Sequence, residues 1–185
     1  MALRQILTEP NEILRKKSLP VESVNKDLQK LMDDMLETMY AAPGIGLAAI
    51  QIGVPKRIIV MDIGFRDKSD DANNNKEEEK KTPMFFVNPE IINKSKNNSK
   101  YEEGCLSVPG QFAEIERPEK CHVKYLDYNG QPKEIFAEGM LATCIQHEMD
   151  HLEGILFIDY LSKLKRSMIV KKLVKQQKQL NRIVI

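Results

Sequence analysis

The stretch "CIQHEMDHLEG", residues 144–154, constrains this chain more than any other, because two histidines four apart can serve one ligand only if the backbone between them is helical. On a helix His147 and His151 lie one above the other, so both can offer an imidazole nitrogen to a single cation, with Glu148 beside it. The fold must then turn that face inward and bring it further ligands. In the metzincin peptidases a third histidine follows the glycine by three positions, and here that position is Phe157. The stretch after Tyr160 contains no carboxylate, so an ordinary metallopeptidase ligand set is not completed downstream. A purely structural Cys/His site usually has four protein ligands, more than this chain assembles at one place. The remaining histidine, His122, stands alone in a strand pattern and reads as a surface or hairpin residue.

At 185 residues the chain suits one domain, residues 1–185, able to bury a full core without disulfides. Its three cysteines, Cys105, Cys121 and Cys144, are unevenly spaced and read as ligands or core residues. There is no apolar run long enough for a signal peptide or a membrane span, so a cytoplasmic protein is expected. The formal net charge of +1 gives no reason to expect DNA or membrane as a partner. The distribution is less even. From position 160 onward there are eight basic and no acidic residues, leaving 20 basic against 27 acidic, or −7, in the rest.

Leu28, Leu31, Met32, Met35, Leu36 and Met39 recur at helical spacing, with Asp27, Lys30, Asp33, Asp34 and Glu37 between them, which predicts an amphipathic helix ending before Pro43. Residues 57–63 and 84–92 have the β-branched and aromatic content of strands. Between them residues 66–81 hold one apolar side chain, Ala72, and predict a flexible surface insertion. Residues 120–139 alternate on either side of Asn129-Gly130, a dipeptide that accepts the positive φ angles of a tight hairpin turn. That hairpin runs into the His147 helix, expected over 140–152. A last helix is expected over 161–180, packing through Leu161, Leu164, Met168 and Leu173. Strands in a meander with helices gathered around them indicate an α+β fold, with antiparallel strands packed around the H-E-x-x-H helix.

Two further stretches carry chemistry. In "YEEGCLSVPG", residues 101–110, a short loop at Gly104 can present the Cys105 thiolate and a backbone N–H, which would supply the third ligand. Cys144 shares the helix face of His147 but reads as lining the site, and Cys121 reads as core. "GIGLAAIQIG", residues 44–53, imitates a dinucleotide fingerprint but lacks the preceding strand and following helix. What remains is a glycine-bearing loop with one amide, Gln51, able to donate to an oxyanion without changing the charge of a metal site.

Taken together, "GIGLAAIQ", "EGCLSVP" and "QHEMDHLEG" resemble the three motifs of the peptide deformylases, over essentially the whole chain outside 66–81. The helical, basic C-terminus is similar to the form typical of Gram-negative bacteria and organelles. The resemblance implies removal of the formyl group from the formylmethionine of nascent polypeptides, with formate as the other product. It implies that Cys105, His147 and His151 are the metal ligands, that Glu148 is general base and acid, and that Gln51 with the N–H of Leu106 meets the oxyanion. Gly46 would lie along the substrate backbone, while Ile45 and Cys144 would border the methionine pocket. Glu103 and Arg117 match a pair that braces the cysteine loop. Gly110 and Phe112 depart from the glutamate and arginine that many relatives carry there. A Cys/His₂ set suits Zn²⁺ by softness, whereas the resemblance implies one Fe²⁺ as the physiological ion. Fe²⁺ is taken first, with Zn²⁺, Ni²⁺ or Co²⁺ as alternatives. Expected partners are the formyl-Met nascent peptide and, through the basic C-terminal helix, the ribosome.

Overall fold

A computed structural model describes residues 2–65 and 81–183. All but one residue of the 66–81 insertion lie outside the described residues. The predicted first helix is α1, Lys26–Ala41. It starts where the Asn25 side chain accepts from the Leu28 N–H at 2.9 Å, a cap on an otherwise orphaned donor. Leu28, Met32, Met35 and Met39 form its buried stripe. Asp34, expected on the solvated face, is fully buried instead. The N-terminal segment crosses that face, and the Ala2 N–H and the Arg4 guanidinium donate to the Asp34 carboxylate at 2.8 and 2.7 Å.

Seven strands follow. β1 (Gly46–Ala48), β2 (Ile58–Met61), β3 (Met84–Lys94), β6 (Lys120–Leu126) and β7 (Pro132–Glu138) make one antiparallel sheet in the order β1-β2-β3-β6-β7. β4 (Asn98–Cys105) and β5 (Val108–Pro118) pair separately. Strand β2, "IIVM", is apolar at every position because both its faces are covered. Ile59 and Met61 face the cluster built on α2 (Gly139–Leu152), whereas Ile58 and Val60 face the methionines of α1. The α+β class expected from the sequence is the architecture found.

The hairpin of β6 and β7 is present, but its turn is wider than the Asn129-Gly130 dipeptide suggested. Leu126 pairs with Pro132, and within the loop only Gly130 has positive φ, at +76°. The Asp127 carboxylate accepts from the N–H groups of Asn129 and Gln131, both at 2.9 Å, and replaces the tight turn with a side-chain-organised loop.

The last helix, α3, spans Lys163–Ile183. Of the four residues expected to pack it, Leu161 and Leu173 do and Leu164 and Met168 do not. Leu173 is buried with Ile169 and Val170 against Val108, Ile115 and Phe157, whereas Leu164 and Met168 are exposed. Gln177 extends the packed stripe by donating to Thr8 Oγ1 at 2.8 Å. The stripe 169, 170, 173, 177 runs along a different side of the helix from 164 and 168, so within the helix the expected face holds at Leu173 alone. Among the described residues no helix is long and apolar enough to cross a membrane.

Candidate active site

Helix α2 lies against the sheet through Ala142, Ile145 and Leu152, and that packing turns its next face, His147, Glu148 and His151, toward the β4–β5 pair. Strand β4 ends at Cys105, which pairs with Val108 across a two-residue turn at Leu106 and Ser107. The sulfur of Cys105 thereby comes 3.2 Å from His151 Nε2. Cys105, His147 and His151 each offer one ligand atom, and these atoms lie within 4.8 Å of one another. Phe157, in the place of a metzincin ligand, is a buried core residue whose ring faces that of His147 at 6.3 Å.

The candidate ligands are held from behind. His147 Nδ1 lies 2.8 Å from Glu103 Oε2, which leaves Nε2 as the nitrogen free to ligate. Arg117 donates through Nε and Nη2 to the two Glu103 oxygens at 2.5 and 3.0 Å, a bidentate pair buried across β4 and β5. Its Nη1 donates to Asp150 on α2 at 2.7 Å, and Tyr160 OH donates to the same carboxylate at 2.9 Å. Burial favours a neutral Glu103, but the bonds from His147 and Arg117 outweigh it and hold the carboxyl below its ordinary value. The expected Glu103–Arg117 brace is thus present, while Asp150 and Tyr160 had no signal in the sequence beyond their proximity to the histidine motif.

The residues fit a divalent cation. One thiolate and two imidazoles are the donor set of borderline-soft ions. Burial holds His151 well below the usual imidazole value, in its neutral and ligating form. His147 is drawn upward against its burial by Cys105 and Glu103, so its surroundings favour positive charge at that ring. Glu148 is buried, and burial pushes its carboxyl up to about 7. Its Oε2 is shielded from solvent and has no hydrogen-bond partner among the described residues.

Gln51 is oriented from both ends of its amide. Its Oε1 accepts from the Ala48 N–H at 2.8 Å, so Nε2 points toward the site, 3.1 Å from Ser107 Oγ and 3.7 Å from the Cys105 sulfur. Ser107, which the sequence did not single out, is therefore a positioning residue for that amide. These groups open on a pocket of about 450 Å³. Eight of the nine residues expected at the site line it: Ile45, Gly46, Gln51, Cys105, Leu106, Cys144, His147 and Glu148. His151 joins from behind through the Cys105 sulfur. Gly46 on β1 passes so close to Glu148 that a Cβ there would stand 2.9 Å from its Cδ. Cys144 is buried, and burial followed by the Glu148 charge raises its thiol well above the ordinary value, so it lines the pocket as an uncharged group. His122 lies elsewhere, stacked on Phe136 and paired with Glu134 at 2.8 Å on the hairpin. Cys121 is in the core.

A Cys/His₂ ligand group beside a buried carboxyl, at the foot of a pocket, is the arrangement of a metal-dependent hydrolase. Residues 3–167 match the family model described as polypeptide deformylase. The peptide deformylase of Pelagibacter ubique is 65% identical over 185 residues, covering all of both chains. That of Maricaulis maris is 57% identical over 182 residues, 98% of each. Among solved structures, the peptide deformylase of Legionella pneumophila superposes with a TM-score of 0.85 at 46% identity, covering 98% of this chain and 99% of that one. The Ehrlichia chaffeensis enzyme gives 0.87 at 44% identity, covering 96% and 98%. The chain belongs to the polypeptide deformylase family.

Proposed function

We propose that this chain, as one catalytic domain over residues 1–185, hydrolyses the N-formyl group of N-terminal formylmethionine on nascent polypeptides and releases formate. The observation that carries the reading is the convergence of three ligand atoms within 4.8 Å beside the buried Glu148, in one pocket with Gln51. Cys105, His147 and His151 hold one divalent ion. When bound, that ion supplies Lewis acidity and lowers the pKa of water. Glu148, with its carboxyl pushed up to about 7, is poised to accept the proton of the attacking water and return it to the departing amine. Gln51 Nε2 and the Leu106 N–H donate to the oxygen that gains charge as the formyl carbon becomes tetrahedral. Ile45 and Cys144 border the methionine side chain, and Gly46 leaves room for the substrate backbone beside Glu148.

The test is release of formate, with no release of amino acids, from formyl-Met-Ala-Ser. Glu148→Ala is expected to keep its metal and fold while turnover falls by roughly 10² to 10⁴-fold; metal loss equal to that of His147→Ala would sink the assignment. Fe²⁺ is the proposed ion and the cytoplasm the proposed compartment. Metal analysis of anaerobically purified protein, with activity measured in each metal form, separates Fe²⁺ from Zn²⁺, Ni²⁺ and Co²⁺. The exposed lysines of α3, among them Lys163, Lys171, Lys172, Lys175 and Lys178, support salt-sensitive docking on ribosomal RNA. Because Leu173 and Gln177 anchor that helix, the test replaces these lysines with glutamine and leaves the helix in place. Unchanged ribosome co-sedimentation at low salt would reject the helix as the docking element.

A further inference from the structure

Phe112 is 61% exposed and lies on the wall of the pocket that holds Glu148 and the ligands, an unusual place to leave a large apolar ring in water. It pairs across the β4–β5 ladder with Gly104, the residue before Cys105. A Cβ on Gly104 would meet Phe112 Cε1 at 2.5 Å and Cδ1 at 2.6 Å, so the Cδ1–Cε1 edge of the ring lies against the bare glycine backbone. This contact fixes one edge of the ring, while the rest stays exposed in the pocket wall. Since Gly104 is one strand residue, about 3.3 Å, from the ligand cysteine, the ring stands within the reach of one or two residues of an extended peptide whose first carbonyl is at the metal. Glu102 shares the pocket wall, and its cross-strand partner Glu114 is a second carboxylate on the same face of the ladder as Phe112.

We infer that Phe112 is a specificity residue: it forms an apolar shelf for the one or two residues that follow formylmethionine, and with Glu102 it selects apolar side chains there against acidic ones. The inference rests on the deformylase reading above. An apolar side chain laid on the ring removes both from water, whereas a carboxylate in that position gains no burial and meets Glu102 and Glu114. The shelf therefore acts on binding of the extended chain, away from the proton transfers at Glu148.

The experiment compares formyl-Met-Ala-Ser, formyl-Met-Leu-Leu and formyl-Met-Glu-Glu on the wild type and on Phe112→Ala and Glu102→Gln. Binding of the unformylated products is measured in parallel by calorimetry, which needs no turnover. The wild type is expected to prefer the leucine over the glutamate peptide by about tenfold or more in kcat/KM, carried mainly by KM. Phe112→Ala should lose about five- to tenfold in KM and in product affinity for the leucine peptide. Glu102→Gln should relax the rejection of glutamate. Equal preference in wild type and Phe112→Ala would overturn the inference, as would a fall in kcat of Phe112→Ala that is the same for every peptide, which would mean that the ring only braces Cys105. Absence of formate from all three peptides on the wild type would instead defeat the deformylase reading, while the product affinities would still decide the shelf.

Discussion

Cys105 and Cys144 both face the pocket, yet their sulfurs have different surroundings. The Cys105 sulfur lies among imidazole and amide nitrogens, with His151 at 3.2 Å and Gln51 at 3.7 Å. The Cys144 sulfur is enclosed, 3.9 Å from the Ile45 carbonyl oxygen, and burial keeps its proton on. Cys105→Ser is therefore expected to lower metal affinity at least ~10-fold and Cys144→Ser less than about twofold, read as bound metal after dialysis against a weak chelator. Peroxide should inactivate the wild type by oxidising Cys105. Equal metal loss in the two variants would mean that the ligand sulfur is misassigned. The sequence made these two cysteines distinguishable only in part, since both stood near candidate motifs and the choice depended on which one the fold would deliver to His151.

The elements that deliver these residues are joined by a few close backbone contacts. Gly154, at the end of α2, has φ +74°, and a Cβ there would lie 2.7 Å from the carbonyl carbon of Arg15. Gly154→Ala thus combines a left-handed backbone with a collision against a main chain that cannot swing away. A stability loss of about 2 kcal/mol or more is expected in urea titration; a loss below about 0.5 kcal/mol would show that the two segments separate freely. Local patterns made α1, α2 and the β6–β7 hairpin readable, because each announces itself by periodicity or by a turn residue within its own span. The β4–β5 pair has no such local signal. Its inner face carries the charges Glu103 and Arg117 and its outer face the ring of Phe112, the reverse of the usual alternation. A buried ion pair that backs the candidate ligand His147 hides a strand from any argument based on hydropathy. The Leu164 and Met168 misreading has a similar origin, since a basic helix with apolar residues on two sides does not reveal which side is covered.

At the scale of the molecule, the N-terminal segment is fastened over α1 through one buried carboxylate. The Ala2 N–H and then the Arg4 guanidinium hold Asp34 below its ordinary value of 3.8. A carboxyl with a lowered folded-state value contributes stability that is fully present above the ordinary value and is lost as pH falls through the lowered one. Stability should therefore decline on acidification below about pH 4, partly through Asp34. Asp34→Asn should be less stable than wild type at pH 7 and should lose less between pH 4 and pH 2, measured by chemical denaturation at each pH. Parallel curves for the two proteins would exclude Asp34 from the acid response.

Strand β2, with its neighbours β1 and β3, is the wall between two of the core clusters, with α2 and its candidate ligands on one side and the α1 methionines on the other. Neither layer can open without exposing a face of that strand, so the two halves are expected to come apart together as one cooperative unit. The amides of Ile59 and Val60 should then exchange with solvent deuterium only through global unfolding, their rates tracking denaturant as the whole molecule does; exchange through a smaller opening would show that the metal-bearing layer can loosen alone. An enzyme built this way cannot trade rigidity at its ligands for flexibility elsewhere in the body. What moves during turnover is left to the periphery, to the substrate chain and the rim over which it passes.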